Sequence, residues 1–564
     1  MKLPDLNSIS RNADYSIEFK GLNHNMYVGE NQFYWMENLC ATNYPVMTPR
    51  AARATVRTIS GAQGIYARGK LCWCAGNKFY YGGSEICAVS AGEKQFVGMG
   101  AYVIIFPDGI MYNTVSGAVS PMAANWTQSA AATIKICRYD GSDYGKVTEG
   151  ATAPSDPAAG DYWLDTSGAN NALRVYSNGV WQAVTASYAR ISSTGIGAPF
   201  KTGDSVAISG AGSEIDGTHE IVDKADGYIV ITANPAKSAT IASGMTVKRG
   251  VPQMDFVCEL NNRLWGCSSA KHEIYCCKLG DPGNWNKLGT GAGDAWAATV
   301  GSDGDFTGAC SFGGSVFFWK EDCVHKVMGT KPGNFQIVDS PIRGVQKGSE
   351  KSLCVVNESL MYKSRDCVCV YDNGTPISVS DGLGTGSYYN ASAGVCGDRY
   401  YISMQDEDGA WHMFVFNEAK GMWHREDATH AKAFAALNGQ LYFLTDGDKI
   451  MAVRGRDEIG ATIEQAFDWY AETGDMMVEM ADNKYVCRIK IRASVDTGAT
   501  LKIEAQYDSS GQWKTIYSRG ASTKASFTVP LVPMRCDHVR LRISGHGRSA
   551  VYAIGKETSR GSEL

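Results

Sequence analysis

One pattern recurs along this chain and restricts its folds more than any other feature. It is a pair of short apolar strands around a tight polar turn. The fullest copy is 256–285, FVCELNNRLWGCSSAKHEIYCCKLGDPGNW. Residues 256–260 run into Asn261-Asn262, and 263–267 then carry apolar residues in alternation. The polar stretch 268–271 reverses the chain, 273–278 return, and Leu279-Gly280-Asp281-Pro282 ends the pairing. Alternation within strands and turn residues between them spell a β-hairpin.

Similar units occupy 70–81, turning at Gly76-Asn77, and 101–112, turning at Pro107-Asp108-Gly109. Others lie at 315–327, 359–371, 399–416 and 440–453. From 256 onward they recur every 40–50 residues or so, the spacing of four-stranded propeller blades. Small-residue strands precede several of them: 307–310 (TGAC), 392–396 (SAGVC) and 433–437 (AFAAL). An inner blade strand needs such residues, because neighbouring blades approach closely at the axis. The expectation is an all-β chain: a β-propeller of six to eight blades, an inserted small β domain and a C-terminal β-sandwich.

The series breaks between 138 and 250. Residues 151–160 are rich in Pro, Ala and Gly, as a linker is. A meander follows through 162–166, 173–176 and the Asn178-Gly179 turn to Trp181, and further strands are expected at 203–208 and 228–231. From about 459, strands at 467–471, 485–491, 501–507, 513–517, 525–529 and 539–543 suggest a sandwich of jelly-roll type. Within 539–543, Val539, Leu541 and Ile543 should face inward and Arg540 and Arg542 outward. Residues 1–50 show little periodicity and several prolines, and read as an extended arm. The expected division is 1–50 arm, 51–137 first blades, 138–250 insert, 251–458 remaining blades and 459–564 sandwich.

Composition agrees with a β-rich globular chain. The 564 residues are 44% hydrophobic and 20% charged, with 63 Gly, 28 Tyr and 13 Trp. A net charge of −5 gives no support to general polyanion binding. No apolar run reaches the roughly 18 residues of a membrane span, and the first residues, MKLPDLNSIS, lack a signal-peptide core. Folding in a cytoplasm is expected. Many of the 17 cysteines sit in apparent strands (Cys72, Cys74, Cys267, Cys276, Cys354, Cys367, Cys369), so they read as reduced core residues, with later oxidation outside the cell left open.

Each cluster that carries chemistry has a plainer reading beside it. Cys72/Cys74 and Cys367/Cys369 share a strand face, but no nearby His completes a zinc set. Cys276-Cys277 reads as one core and one surface residue. His424, Glu426, Asp427 and His430 form the densest polar cluster, and read as a solvated loop between blades. Gly301 to Asp305 and Asp446-Gly447-Asp448 resemble fragments of calcium loops but lack the full ligand series. Tyr162, Trp163, Tyr176 and Trp181 fit either a glycan-stacking surface or the core of a very small module. No Walker A, Rossmann glycine pattern or Gly-x-Ser-x-Gly elbow is present. No cofactor, metal or catalytic residue is assigned, and the chain is expected not to be an enzyme.

Several stretches resemble virion proteins of tailed bacteriophages: the propeller-bearing tail nozzle, hub or DNA-stabilisation proteins. They are Leu260-Asn261-Asn262-Arg263-Leu264-Trp265-Gly266 with Glu273-Ile274-Tyr275 and Leu279-Gly280-Asp281-Pro282-Gly283-Asn284-Trp285. Asn38-Leu39 with Tyr44-Pro45-Val46 and Pro49-Arg50, Tyr162-Trp163-Leu164-Asp165-Thr166, and Val532-Pro533-Met534-Arg535-Cys536-Asp537-His538 are similar too. The resemblance implies a ring of copies, sixfold favoured, around the tail's DNA channel, touching genomic DNA without sequence preference. Portal or adaptor proteins, or tail-tip and fibre proteins, would be its neighbours. It implies residence in the virion tail after assembly in the host cytoplasm. Tyr34, Trp35 and Met36 in the arm, and Ser268, Lys271 and His272 in the polar loop, are the candidate subunit contacts. Arg263, Trp265 and Trp285 read as packing residues. Two other functions stay open: a tail-tip receptor or glycan binder, and a glycan-degrading propeller enzyme.

Overall fold

The computed structural model describes residues 11–289, 291–455, 460–478, 484–531 and 534–560. Among them there is no α-helix, only strands and short 3-10 turns. The expected boundary at 458/459, residues 1–10 of the arm and Val532-Pro533 of the last resemblance stretch lie outside the described residues.

The chain divides into two compact units, 1–93 with 319–324 and 341–564, and 94–318 with 325–340. The first contains antiparallel sheets of blade type. One runs Ala62–Arg68, Lys70–Ala75, Lys78–Tyr81, Ser84–Ala88. Cys354–Val356 to Ile377–Ser378 form the next, and Tyr388–Cys396, Arg399–Asp406, Trp411–Asn417 and Met422–Asp427 another. Ala431–Leu437, Gln440–Thr445 and Lys449–Ala452 form a sheet whose fourth strand, Ala54–Thr58, comes from the other end of the sequence and is edged by Thr462–Ile463. The second unit has three such sheets, starting at Gln95–Met99, Phe256–Leu260 and Gly308–Phe312.

The hairpins follow from local chemistry. Leu260 pairs with Arg263, leaving Asn261 and Asn262 as a two-residue loop with φ of 54° and 59°. Asparagine tolerates that left-handed region, which matches the twist of the flanking strands. Small inner-strand residues have the expected purpose. A Cβ on Gly394 would lie 2.6 Å from Phe434 Cβ, so only glycine lets these two inner strands meet.

Blades are covered on both faces, and this overturns one expectation. Cys276 and Cys277 are both fully buried. Cys276 packs with Val316 and Phe318 of the following sheet, and Cys277 with Ile104 and Phe106 of the preceding one. Cys72, Cys74, Cys267 and Cys369 are likewise buried, while Cys354 is half-buried.

The insert begins earlier than 138. Ala124–Thr127 pairs with Thr246–Arg249, and Ala132–Ile136 with Tyr188–Ser192, so both early strands belong to it. Its eight-stranded sheet runs from Ala124–Thr127 to Ala239–Ile241 around a core including Trp126, Ile191, Phe200, Ile229 and Val247. A second, four-stranded sheet, Val147–Gly150 to Val180–Val184, is nested inside.

The C-terminal sandwich has two sheets, and neither is made from the C-terminal region alone. Arg11–Ser16 pairs with Ser549–Arg560, and Phe33–Glu37 with Asp468–Thr473. Val539, Leu541 and Ile543 are buried as expected, and Arg540 and Arg542 pair at the surface with Asp475 and Glu472. The arm reading is thereby corrected: within the described part of 1–50, Arg11–Ser16 and Phe33–Glu37 are strands of the sandwich sheets, with irregular chain between them. Phe33 and Met36 complete the sandwich core, burying apolar area that the C-terminal strands would otherwise leave wet.

Candidate functional site

A pocket of about 750 Å³ opens within the first unit, at the ends of the inner strands around Gln63, Ser392 and Ala433. Its floor is set by the 3-10 turn Glu350–Ser352. Ser349 Oγ hydrogen-bonds Gln346 Oε1 at 3.2 Å and accepts from Ala391 N at 3.1 Å, and Ser352 Oγ donates to Ser349 O at 2.6 Å. These bonds fix the turn against the inner strand Tyr388–Cys396, so Glu350 and Lys351 line the cavity.

Lys351 pairs with Glu93 and donates to Lys432 O at 3.1 Å. Burial, with the nearby Lys432 charge, pushes its amine down to about 8. Burial likewise pushes the Glu350 carboxyl above its ordinary value. On one side His430 stacks flat on Trp411, ring centroids 3.5 Å apart and 9° from parallel. Burial holds His430 below the ordinary histidine value, against the opposing Asp446 charge. The cavity thus offers two amines (Lys351 and Lys432), two carboxyls (Glu93 and Glu350) and a flat ring pair, a set able to hold a small polar molecule. Among the described residues no group of three or more His, Cys, Asp or Glu is placed to hold a metal. Sequence reading reached only His430 here. Glu350 and Lys351 sit in a connecting stretch with no periodic signal.

The rest of the expected 424–430 loop is a different object. His424, Arg425 and Glu426 are buried, in the outer blade strand Met422–Asp427. The lead-in covers that strand: Leu22 N donates to Trp423 O at 2.7 Å and Asn38 N to Glu426 O at 2.5 Å. Arg53 Nη2 meets Glu426 Oε2 at 2.6 Å, and its Nη1 meets Asp427 Oδ2 at 2.7 Å. Arg50 forks onto Glu464 at 2.7 and 2.9 Å and donates to Asn38 Oδ1 at 2.8 Å. Burial raises the Asp427 carboxyl, but Arg53 and Arg50 outweigh it and hold it at about 2. Burial, then the Arg399 charge, lowers His424 to about 4. This is a buried ionic clamp joining lead-in, blade and the start of the sandwich.

Asp448 is also accounted for. Its carboxylate accepts Gly61 N at 2.7 Å and Ala62 N at 3.3 Å, so it is a turn residue between neighbouring sheets.

The remaining expected contact residues separate. Met36 is 1% exposed and already covered by the chain's own sandwich, so it is not available to a neighbour. Tyr34 and Trp35 are half-buried under Arg540 and Arg425, with guanidinium-to-ring distances of 5.2 and 4.9 Å. Ser268 is buried, because it is the last residue of strand Arg263–Ser268, whereas Lys271 and His272 are exposed at the turn. Arg263 is buried and donates to the carbonyls of Cys277 (2.7 Å), Asp294 (2.6 Å) and Ala292 (2.8 Å). Trp265 and Trp285 are also buried, in the cores on either side of this sheet, as packing residues should be.

In the nested sheet, Trp163 is buried, with its indole N–H on Gly150 O at 2.9 Å. Tyr162 packs with Leu164 and Leu173 in the module core. Tyr176 and Trp181 form a half-exposed pair, centroids 5.3 Å apart. Of the four aromatics, only this pair presents a stacking surface.

No family model matches the chain, and no curated protein matches it. Among solved structures it is similar to BamB from Moraxella catarrhalis at 12% identity, covering 71% of this chain and 97% of that one, TM-score 0.31. The computationally designed Ika8 protein aligns at 8% identity over 71% of this chain and 99% of its own, TM-score 0.31. An exo-β-1,3-galactanase from Phanerochaete chrysosporium aligns at 8% identity over 52% of this chain and 92% of its own, TM-score 0.21.

Proposed function

We propose that this chain is a structural component of a bacteriophage tail, of nozzle or hub type, and not an enzyme. Copies would form a cyclic ring, sixfold favoured, around the DNA channel, docking portal, adaptor, tail-tip or fibre proteins and touching DNA without sequence preference. It would reside in the virion tail after assembly in the host cytoplasm.

The observation that most favours this reading is the way the chain's distant parts are tied together. Arg11–Ser16, Phe33–Glu37 and Ala54–Thr58 each pair with a strand from the last quarter of the sequence. Such long-range antiparallel ladders close the two ends of the chain on each other, which suits a rigid ring subunit that keeps its shape as DNA passes. The Arg50–Arg53 clamp adds charge-assisted bonds beside the same ladders. Ile17, Met26 and Tyr27 stay exposed in the lead-in, so a neighbouring subunit could bury them.

Imaging intact particles tests the proposal. A ring of this chain around the tail axis is expected. A position at the periphery, on a fibre or outside the channel, would overturn it. The second reading, a glycan-binding tail-tip protein, draws on the half-exposed Tyr176–Trp181 pair. It predicts measurable glycan affinity that is lost in Trp181→Ala.

A further inference from the structure

Two cysteines in the first unit form a reactive arrangement that the proposed mechanical task does not use. Cys367 closes the turn after strand Ser359–Lys363, and Cys369 lies two residues on, in Val368–Tyr371. The turn directs the Cys367 side chain onto that of Cys369, and their Sγ atoms are 3.4 Å apart. Arg343 Nη1 is 3.5 Å from Cys367 Sγ. Cys369 is fully buried, whereas Cys367 is 8% exposed, beside the exposed turn residues Arg365 and Asp366.

The surroundings favour one anion on this pair. The hydrogen bond from Cys369 leads, and with help from Ser378 and Arg343 it outweighs burial and holds the Cys367 thiol at about 6. The same bond, with burial, raises Cys369. Lys363, Asp366, Tyr362 and Tyr400 are other titratable groups facing the pair. A thiol held between a neighbouring thiol and a guanidinium, with its edge reaching solvent, is where cysteine chemistry concentrates.

We propose that Cys367 and Cys369 form a reactive vicinal dithiol, with Cys367 the nucleophile and Cys369 the resolving thiol, whose substrates are small soft electrophiles such as hydroperoxides. The Cys367 thiolate attacks the peroxide's outer oxygen, the O–O bond breaks, and the leaving alkoxide or hydroxide takes a proton. Cys367 is then a sulfenic acid. The Cys369 sulfur attacks the Cys367 sulfur, an S–S bond forms, and the expelled hydroxide leaves as water with the Cys369 proton. Two thiols are oxidised and one peroxide is reduced.

The test uses the full-length reduced protein and peptide mapping. At pH 6, iodoacetamide should label Cys367 about tenfold or more faster than the half-buried Cys40 and Cys396, because only a thiolate reacts. Arg343 is exposed, so Arg343→Gln should fold and slow Cys367 labelling at pH 6, with Arg343→Lys restoring part of the rate. One equivalent of hydrogen peroxide should link 367 to 369, reversibly with dithiothreitol. In Cys369→Ser a sulfenic acid should instead be trapped by dimedone at 367. Labelling of Cys367 no faster than Cys40, or a first peroxide-induced bond elsewhere, would overturn the proposal.

Discussion

The insert and the C-terminal sandwich are both β domains, yet they are assembled in opposite ways. The insert draws every strand from 124–249, and its first strand pairs with its last, Ala124 opposite Arg249. It leaves and rejoins the blade series at one point. The sandwich instead borrows Arg11–Ser16 and Phe33–Glu37 from more than 400 residues away. A domain with adjacent ends is a removable module. A domain closed by the far end of the chain is finished only when the whole chain has folded, and its stability depends on long-range pairing.

Deletion gives the largest contrast. Removing residues 1–40 strips Phe33, Met36 and Leu39 from the sandwich core and should cost more than about 5 kcal/mol, judged from single core truncations. Loss of the sandwich's cooperative transition in thermal denaturation is expected. Replacing 124–249 with a short glycine bridge should leave the blade sheets folded. If both deletions behave alike, the distinction drawn here is wrong.

Next in size is Arg53→Ala. It leaves Glu426 without its closest cation, in a strand that the lead-in covers, and should cost about 3–5 kcal/mol by denaturant titration. His424 supplies a pH signature of the same clamp region. It is held near 4 when folded, so below the ordinary 6.5 the unfolded chain binds its proton more readily. Stability should fall by about 3 kcal/mol as pH drops from 6.5 to 4, and His424→Gln should flatten that slope. Asp427 acts in a lower window: its contribution of about 2 kcal/mol is complete above pH 3.8 and lost as pH falls through about 2.

Asn284 is one of the residues that hold the insert, with Lys278, Asp281 and Asn286 beside it. It is fully buried, accepts Ser205 N at 2.8 Å, and donates to Asp204 at 3.2 Å and Asp281 at 2.6 Å. Asn284→Ala should cost about 1–3 kcal/mol and increase hydrogen exchange where the insert meets its blade. Trp181→Ala should be the mildest change, about 1 kcal/mol or less, because the indole is half-exposed. A larger loss would make Trp181 part of the module core and remove the glycan-stacking surface.

The blade hairpins were legible because their determinants are local. Asn-Asn and Gly-Asn turns need left-handed residues at fixed places, and alternation marks the strands around them. The pocket was largely hidden, since Glu350 and Lys351 come from a 3-10 turn and Trp411 from the later strand Trp411–Asn417, and no spacing links them. The buried charge of 424–427 was misread for a related reason. A polar run usually signals exposure, and here its partners Arg50 and Arg53 come from a distant segment.

At 256–285 the sequence alone determined strand, turn and strand, and the structure has Phe256–Leu260, Arg263–Ser268 and Glu273–Cys276. Which faces are buried there was decided by tertiary structure, because sheets on both sides cover Cys276 and Cys277 alike. The fate of the lead-in was decided there too. Its two longer strands, Arg11–Ser16 and Phe33–Glu37, carry weak periodicity of their own and become sheet by completing ladders whose other strands lie at the far end of the chain. Local patterns fix backbone conformation, whereas burial depends on what arrives from elsewhere, and no window of the sequence contains both partners.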